Sequence, residues 1–117
     1  MVLKSYAKIN LTLSIKNKLR SGLHNIQSIY CLINLHDKIF LKKNKNKYFD
    51  KVSFTGPFSK DINKSNNSVK KVLKIMRKNK IIHDYYSIKV SKKIPVFAGL
   101  GGGTGNAATL FNHFAKK

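Results

Sequence analysis

Five of the seven glycines in this 117-residue chain fall within seven consecutive positions, and this cluster constrains the fold more than any other feature. Its members are Gly99, Gly101, Gly102, Gly103 and Gly105. Glycine lacks the Cβ that would keep a polyanion from the backbone, and it accepts positive φ, so consecutive N–H groups can converge on phosphate oxygens. A strand-like run precedes the cluster, and a helix of small residues that begins near Asn106 would add its N–H groups and positive dipole end. The cluster therefore predicts a phosphate-binding loop.

The net charge of the chain is strongly positive: 24 Lys and Arg against four acidic residues give +20. Such an excess first suggests a nucleic-acid or anionic-membrane partner. Only Arg20 and Arg77 are arginine, however, and recognition of bases and phosphates favours the bidentate guanidinium group. We therefore rank a solvated lysine-rich surface, typical of A/T-rich coding, ahead of a nucleic-acid interface. A polyanionic small substrate would benefit from the same field.

Length and cysteine content limit the remaining classes. A chain of 117 residues has room for one small domain with a real core. The single Cys31 lies in an apolar run, which favours a small buried hydrophobe over a reactive thiol. The sequence shows no disulfide framework, signal h-region or membrane span, so we expect a soluble protein in the reducing cytoplasm.

The hydrophobic pattern predicts an α+β fold without internal repeats. Strands are expected over 6–15, 26–35, 39–42, 52–55 and 86–90, with turns at 16–22, 37–38, 44–47 and 56–57. Helices are expected from Asn67 or Ser68 to about Lys80 and from about Asn106 to Lys117. Their predicted inward residues are Val69, Val72, Leu73 and Met76 in the first helix and Ala107, Ala108, Leu110, Phe111 and Phe114 in the second.

Three ordered motifs carry a resemblance to a known family: AKINL at 7–11, GLHNI at 22–26 and PVFAGLGGGTGNAA at 95–108. The third motif lacks both the Gly-Lys-Ser/Thr ending of a Walker A loop and the Gly-x-Gly-x-x-Gly spacing. It closely resembles the ATP loop of the GHMP small-molecule kinases. Together with the first two motifs, it is most similar to the 4-diphosphocytidyl-2-C-methyl-D-erythritol kinase family of that superfamily.

The resemblance implies a fold, an activity and two cofactors. The fold would be the ribosomal protein S5 domain 2-like domain, a mixed and mostly antiparallel sheet with helices on one face. The activity would be ATP-dependent phosphorylation of the 2-hydroxyl of the cytidyl substrate, with Mg²⁺, in non-mevalonate isoprenoid precursor synthesis. The chain would form the amino-terminal, ATP-binding domain over 1–117, and the family's second domain and catalytic aspartate would lie beyond it. None of the four aspartates, Asp37, Asp50, Asp61 and Asp84, matches that base, so we expect little or no activity from the chain alone.

The resemblance also implies the roles of individual residues. Lys8 would lie beside the substrate hydroxyl, Asn10 in the active site and His24 against the cytosine, with Leu23 in place of the family's stacking tyrosine. The residues it assigns to ATP are Pro95, Ala98, Gly99, Leu100, Gly101, Gly102, Gly103, Thr104, Gly105, Asn106 and Asn67. Thr104 would also reach Mg²⁺. Gly105 and Phe97 stand where the family usually has a serine and a small residue.

Simpler interpretations stay open for several of these residues. Periodicity alone places Lys8 and Asn10 on one face of the first strand, opposite its apolar face. Without the resemblance, Lys8 would be a solvated cation; Thr104 could cap the following helix as well as bind a ligand, and Asn67 could equally be a simple N-cap. For the whole chain, the alternatives are a basic nucleic-acid-binding module without catalysis, or another GHMP kinase for which Leu23 indicates a changed cytidyl pocket.

Overall fold

A four-stranded sheet and two helices make up the computed structural model, which describes residues 1–45 and 48–116. The elements are β1 (Val2–Lys18), β2 (His24–Asn44), β3 (Lys51–Thr55), α1 (Ser68–Lys78), β4 (Tyr85–Ser91) and α2 (Gly102–Ala115). The sheet order is β1-β2-β4-β3, antiparallel except for the β3–β4 pair. The predicted α+β class with a mostly antiparallel sheet is confirmed. The turn predicted at 44–47 lies partly outside the described residues.

The core lies on one face of the sheet, beneath both helices. Two cross-strand pairs, Ile39 with Val90 and Leu41 with Ile88, supply its floor. The helix residues packed on this floor are Val69, Leu73 and Met76 from α1 and Leu110 and Phe114 from α2. The apolar periodicity of α1 is therefore confirmed as a core-facing stripe.

Helix α2 buries a narrower stripe than its sequence predicts. Its buried residues follow a spacing of four: Gly102, Asn106, Leu110 and Phe114. Ala108 and Phe111 are exposed, so the prediction that they face inward is wrong. A stripe of i, i+4, i+8 positions contacts the sheet along one line, and residues turned away from that line face solvent.

The second strand continues where the sequence predicts a turn. Strand β2 runs unbroken through 37–38, because the carboxylate of Asp37 finds its partners inside the fold. The apolar pattern is interrupted by an irregularity in the pairing of β1 with β2. Tyr6 pairs with His36, but the next residue, Ala7, pairs with Ile33. Two residues of β2 are accommodated there without ending the strand.

Strands β1 and β2 also extend beyond the helices as a two-stranded arm over residues 8–33. Leu11 forms a bulge in this arm, since Asn10 pairs with Tyr30 and Thr12 with Ile29. An extra residue in one strand reverses its side-chain alternation. We call the two sides the Lys8 face (Lys8, Asn10, Leu13, Ile15, Ile26, Ser28, Tyr30 and Leu32) and the Ile29 face (Ile9, Thr12, Ser14, Gln27, Ile29, Cys31 and Ile33). The prediction that Lys8 and Asn10 lie opposite the apolar residues therefore holds only as far as the bulge.

Candidate functional site

The glycine loop over 95–101 joins β4 to α2 in a conformation that most residues avoid. Gly99 and Gly101 have φ of 71° and 70°, in the left-handed region. Phe97 also has a positive φ, 60°, and its ring is almost fully exposed. A non-glycine residue held in this region is under backbone strain, which is typical of ligand-binding sites. The loop thus has the backbone that its glycines predict.

Helix α2 begins at Gly102, four residues before the predicted start at Asn106. The cap residue Gly101 offers no side-chain hydrogen bond to the first turn. The N–H groups of a first helical turn have no partner inside the helix. The glycines at 102, 103 and 105 therefore belong to the helix, and its uncapped amino terminus faces the loop.

Two of these helical glycines permit close packing of α2 on the sheet. A methyl group at Gly102 would lie 3.0 Å from Cγ2 of Ile94 and 3.1 Å from Nζ of Lys92. At Gly105 it would lie 3.1 Å from Oγ of Ser5. The Cβ of a serine at position 105 would therefore lie close to the hydroxyl of Ser5. In this chain, Ser5 provides the hydroxyl next to position 105.

A buried ion pair lies beneath the loop. The ammonium group of Lys92 donates to Oδ2 of Asp37, and both residues are almost fully buried. Oδ1 of the same carboxylate accepts from the backbone N–H groups of Lys93 (2.7 Å) and Ile94 (2.9 Å). Asp37 therefore fixes the end of β4 and the entry to the loop.

Lys8 is held against the loop, although it is not among the residues that line the cleft. Its N–H donates to the carbonyl oxygen of Leu100 at 2.9 Å. A methyl group at Gly101 would lie 3.6 Å from Cε of Lys8. Nζ lies 5.7 Å from the centre of the Tyr30 ring. Asn10, on the same face of the arm, is exposed.

The second wall of the cleft is the segment that precedes α1. Oδ1 of Asn67 accepts from N–H of Lys70 at 3.0 Å, which makes Asn67 the N-cap. Oγ of Ser68 donates to the carbonyl oxygen of Gly103 at 2.7 Å and ties the two helix starts together. The cleft between this wall and the loop has a volume of about 440 Å³. The residues predicted for ATP that line it are Pro95, Ala98, Gly99, Leu100, Gly101, Gly102, Gly103, Thr104, Asn106 and Asn67.

The structure does not bring His24 and Leu23 to this cleft. Both are exposed at the tip of the arm, where His24 pairs with Lys18. Lys18 is ten residues beyond Lys8 on β1, which corresponds to about 30 Å of strand. The cytidyl-binding role of His24 and Leu23 stays a prediction.

Three of the four aspartates are engaged in ion pairs. Besides Asp37, Asp50 binds Arg77 at 2.6 Å and Asp84 binds Lys43 at 2.7 Å. Asp61 lines the cleft. The hydrogen bond to Asp84 raises the pKa of Lys43, at the end of β2 remote from the loop.

Sequence reasoning missed Lys92 and Ser5 and misplaced Asp37. One signal was present at Asp37, because a charged residue within an apolar strand-like run needs a buried partner. Nothing in the local pattern around Lys92 distinguished it from the other lysines. Among the described residues, buried Oγ of Ser5 and Oδ1 of Asn106 have no hydrogen-bond partner.

Several known proteins are similar to this chain in sequence and in fold. A 4-diphosphocytidyl-2-C-methyl-D-erythritol kinase of Pelagibacter ubique is 47% identical over 116 residues, which cover 98% of this chain and 40% of that protein. The same-named protein of Finegoldia magna is 37% identical over 92% of this chain and 37% of its own length. A crystal structure of 4-(cytidine 5'-diphospho)-2C-methyl-D-erythritol kinase superposes with a TM-score of 0.70 at 23% identity, over 99% of this chain and 40% of that one. The chain corresponds in sequence and fold to the amino-terminal part of these kinases.

The fold is shared more widely than the sequence. Homoserine kinase from Cytophaga hutchinsonii superposes with a TM-score of 0.63 at 15% identity, over 99% of this chain and 36% of that chain. The GHMP kinase fold is thereby confirmed. No protein-family model matches the chain. The chain spans about two fifths of the length of the curated relatives. Within the described ranges, no helix has the length and apolar character needed to cross a membrane.

Proposed function

We propose that this chain is the ATP-binding, amino-terminal domain of a cytoplasmic kinase. The kinase would transfer a phosphoryl group from ATP to the 2-hydroxyl of 4-diphosphocytidyl-2-C-methyl-D-erythritol, in isoprenoid precursor synthesis. The observation that carries the proposal is the glycine loop, which leads into the uncapped start of α2 with Lys8 against it. Similarity to relatives with that kinase name supports the reaction and the substrate.

The residues of the cleft fit a nucleotide triphosphate. The start of α2 offers backbone N–H groups and a positive dipole end to phosphate oxygens. Gly99 and Gly101 have no side chain of their own between the backbone and a ligand, and Thr104 is one of the residues that line the cleft. The described residues contain no cluster of three or more His, Cys, Asp or Glu. A magnesium ion would therefore be held chiefly by the nucleotide's own oxygens, with Thr104 as a protein ligand, and would neutralise charge on the phosphates.

Lys8 is the residue that we propose acts on the transferred group. In support, its N–H donates to the carbonyl oxygen of Leu100, and its Cε lies beside Gly101. A cation there stabilises the negative charge that spreads over the phosphoryl oxygens. Asn10 lies on the same face of the arm, where it would orient the substrate.

We propose that the proton acceptor comes from another part of the kinase. Asp37, Asp50 and Asp84 are each occupied by a cationic partner within this domain. The relatives extend well beyond the matched segment. This chain would then bind Mg·ATP by itself but transfer its phosphoryl group slowly or not at all.

Calorimetric titration of the chain with Mg·ATP tests the proposal. We expect saturable binding that Gly99→Ala weakens, because Gly99 has φ of 71° and open space around it. Forcing a non-glycine residue into the left-handed region costs about 1–2 kcal/mol, which corresponds to about tenfold in affinity if the free loop relaxes. Gly22→Ala is the matched control, since Gly22 has φ of 85°, equally open surroundings and a position in the arm turn.

The two glycine variants separate loop geometry from general strain. Gly22→Ala should lose stability without losing nucleotide affinity, whereas Gly99→Ala should lose nucleotide affinity, with a smaller loss of stability because its free loop relaxes. A folded wild-type chain that fails to bind Mg·ATP contradicts the proposal. Turnover of the cytidyl substrate by the chain alone, near that of a full-length relative, contradicts the assignment of the base to another segment.

The +20 charge favours one second candidate, a nucleic-acid-binding module. Salt-sensitive RNA binding without nucleotide binding would support that candidate instead.

A further inference from the structure

The main sheet has a second face, on the side opposite the two helices. Successive side chains of a strand point to opposite faces, so every second residue lies on this side. We call it the open face, and it consists of the even-numbered residues of 2–6 and 36–42 and the odd-numbered residues of 51–55 and 87–91. None of these residues is buried, whereas residues between them, such as Ile39 and Val90, are fully buried. The open face is therefore accessible to a ligand.

Cations on the open face have no acidic counterpart. Its five lysines are Lys4, Lys38, Lys42, Lys51 and Lys89. All four aspartates lie elsewhere, in ion pairs with other cations or in the lining of the glycine-loop cleft. Lys4 and Lys38 are directly opposite each other in the β1–β2 register, and like charges in that arrangement destabilise a sheet. The open face is thus complementary to a polyanion.

Aromatic rings lie among these cations. Phe40 pairs with Lys89 of β4 and is 40% exposed, and Tyr6 is 38% exposed on the same face. A groove of about 400 Å³ crosses the face, and its lining includes Phe40, Lys42, Lys51 and Lys89. Exposed rings beside cations are the combination that binds single-stranded nucleic acid, because bases stack on the rings while the cations neutralise the phosphates.

We propose that the open face binds single-stranded nucleic acid, at a site separate from the glycine-loop cleft. No residue of the open face lines that cleft, so the inference holds whether or not the chain binds ATP. The position of the lysines favours this partner more than their number does, since α1 also presents lysines to solvent but contains no aromatic residue. An anionic membrane is less favoured, because Phe40 and Tyr6 expose only about two fifths of their surface and would insert little.

Fluorescence anisotropy with a labelled oligouridylate of about 12 nucleotides tests the proposal. The open-face variant replaces three exposed lysines of the groove: Lys42→Gln, Lys51→Gln and Lys89→Gln. The matched control replaces three exposed lysines of α1: Lys71→Gln, Lys74→Gln and Lys78→Gln. Both variants remove three positive charges from the +20 of the chain. A difference between them therefore reports position and not net charge.

We expect the open-face variant to bind the oligouridylate at least about tenfold more weakly in about 0.1 M NaCl. The slope of log Kd against log salt concentration should become shallower by about 2, because each phosphate contact in a single strand contributes about 0.7. The α1 variant should change the affinity by less than about threefold. Its lysines lie on the helix side of the sheet, and a Debye length of about 10 Å screens them from the open face.

The aromatic contribution is tested at Phe40. Phe40→Leu keeps an apolar side chain but removes the ring, and we expect at least about fivefold weaker binding of the oligouridylate. Phe111→Leu is the matched control, because Phe111 is 41% exposed on α2. Inorganic polyphosphate, which has no bases, should bind wild type and Phe40→Leu equally. Equal effects of the two phenylalanine substitutions on the oligouridylate would contradict stacking on the open face.

Cross-linking of wild-type protein to an oligonucleotide that contains thiouridine provides a measurement independent of any variant. We expect adducts on β2 and β4, and no displacement of the oligonucleotide by saturating Mg·ATP. Three results would overturn the proposal: equal losses of affinity in the two lysine variants, adducts confined to α1 or the glycine loop, or binding of phosphatidylserine vesicles without binding of the oligonucleotide. Mg·ATP binding is measured separately, so failure of the proposed kinase function would leave this result distinct.

Discussion

At the scale of single residues, the carboxylate of Asp37 joins three donors at one point beneath the glycine loop. Nζ of Lys92 takes one oxygen, and the N–H groups of Lys93 and Ile94 take the other. Gly102 packs directly above Lys92, so the start of α2 has no room to shift towards the sheet. The electrostatic partners of one aspartate therefore set the position of the backbone that faces the cleft.

Lys92→Met is expected to destabilise the fold strongly. Removing one partner of a buried ion pair leaves the other charge uncompensated, at a cost of about 3–5 kcal/mol. Denaturant unfolding of the variant and the wild type measures the change. Lys43→Met is the matched control, because the Lys43–Asp84 pair is largely exposed and exposed pairs contribute about 0–1 kcal/mol.

The double variant Asp37→Asn with Lys92→Met separates the charge from the backbone contacts. An asparagine oxygen can still accept from Lys93 and Ile94, and no charge stays buried. We expect it to recover part of the stability that Lys92→Met loses. A double variant no more stable than the single one would show that the pair acts through packing and not through charge.

At the scale of elements, the start of α1 combines a helix cap with a wall of the cleft. Asn67 uses its carbonyl oxygen to cap Lys70 and its amide nitrogen to donate to the carbonyl oxygen of Asn63 at 3.0 Å. The same residue lines the cleft opposite the glycine loop. Asn67 therefore combines the cap of α1 with a place in the cleft lining.

Substitutions at Asn67 can divide these functions. Asn67→Ala should lower the free energy of unfolding by about 1 kcal/mol through loss of the cap. Asn67→Asp keeps an accepting oxygen and should retain most of that stability while it removes the amide donor. If Asn67 contacts the nucleotide, calorimetry will show weaker Mg·ATP binding for Asn67→Asp. Unchanged affinity would leave the cap as its whole role.

Local patterns predicted some elements well and others poorly. The period of α1 and the alternation of β4 follow from side chains that face one core, so the sequence was sufficient. The start of α2 was placed late because glycine has a low helix propensity, and packing against Ile94 and Ser5 overrides it. The bulge at Leu11 and the continuity of β2 depend on the partner strand and on Lys92, which are distant in sequence.

The same limit applies to the candidate site. The loop, Lys8 and Asn67 could be predicted because each lies in or beside a motif or a helix start. The contact between Lys8 and Leu100 could not, since it joins residues 92 positions apart. The distance of His24 from the loop depends on how far the arm continues as paired strands, and residues 16–22 indicated only a turn.

At the scale of the whole molecule, the dominant property is unbalanced positive charge. Three of the four acidic side chains are already committed to ion pairs, so most of the +20 is left as mutual repulsion. Repulsion of this kind weakens the compact state and decreases when salt screens it. A protein of this composition should therefore be more stable at high ionic strength.

Raising NaCl from about 0.01 M to about 1 M shortens the Debye length from about 30 Å to about 3 Å. We expect the melting temperature of the chain to rise by at least about 4 °C, which corresponds to about 1 kcal/mol for a domain of this size. Calorimetric melts of wild type and Gly99→Ala distinguish the two sources of such a rise. Screening of general repulsion raises the melting temperatures of both proteins equally, because Gly99→Ala leaves the net charge at +20. A rise confined to the wild type would instead indicate chloride bound at the loop, and a melting temperature independent of salt would contradict the role given to repulsion.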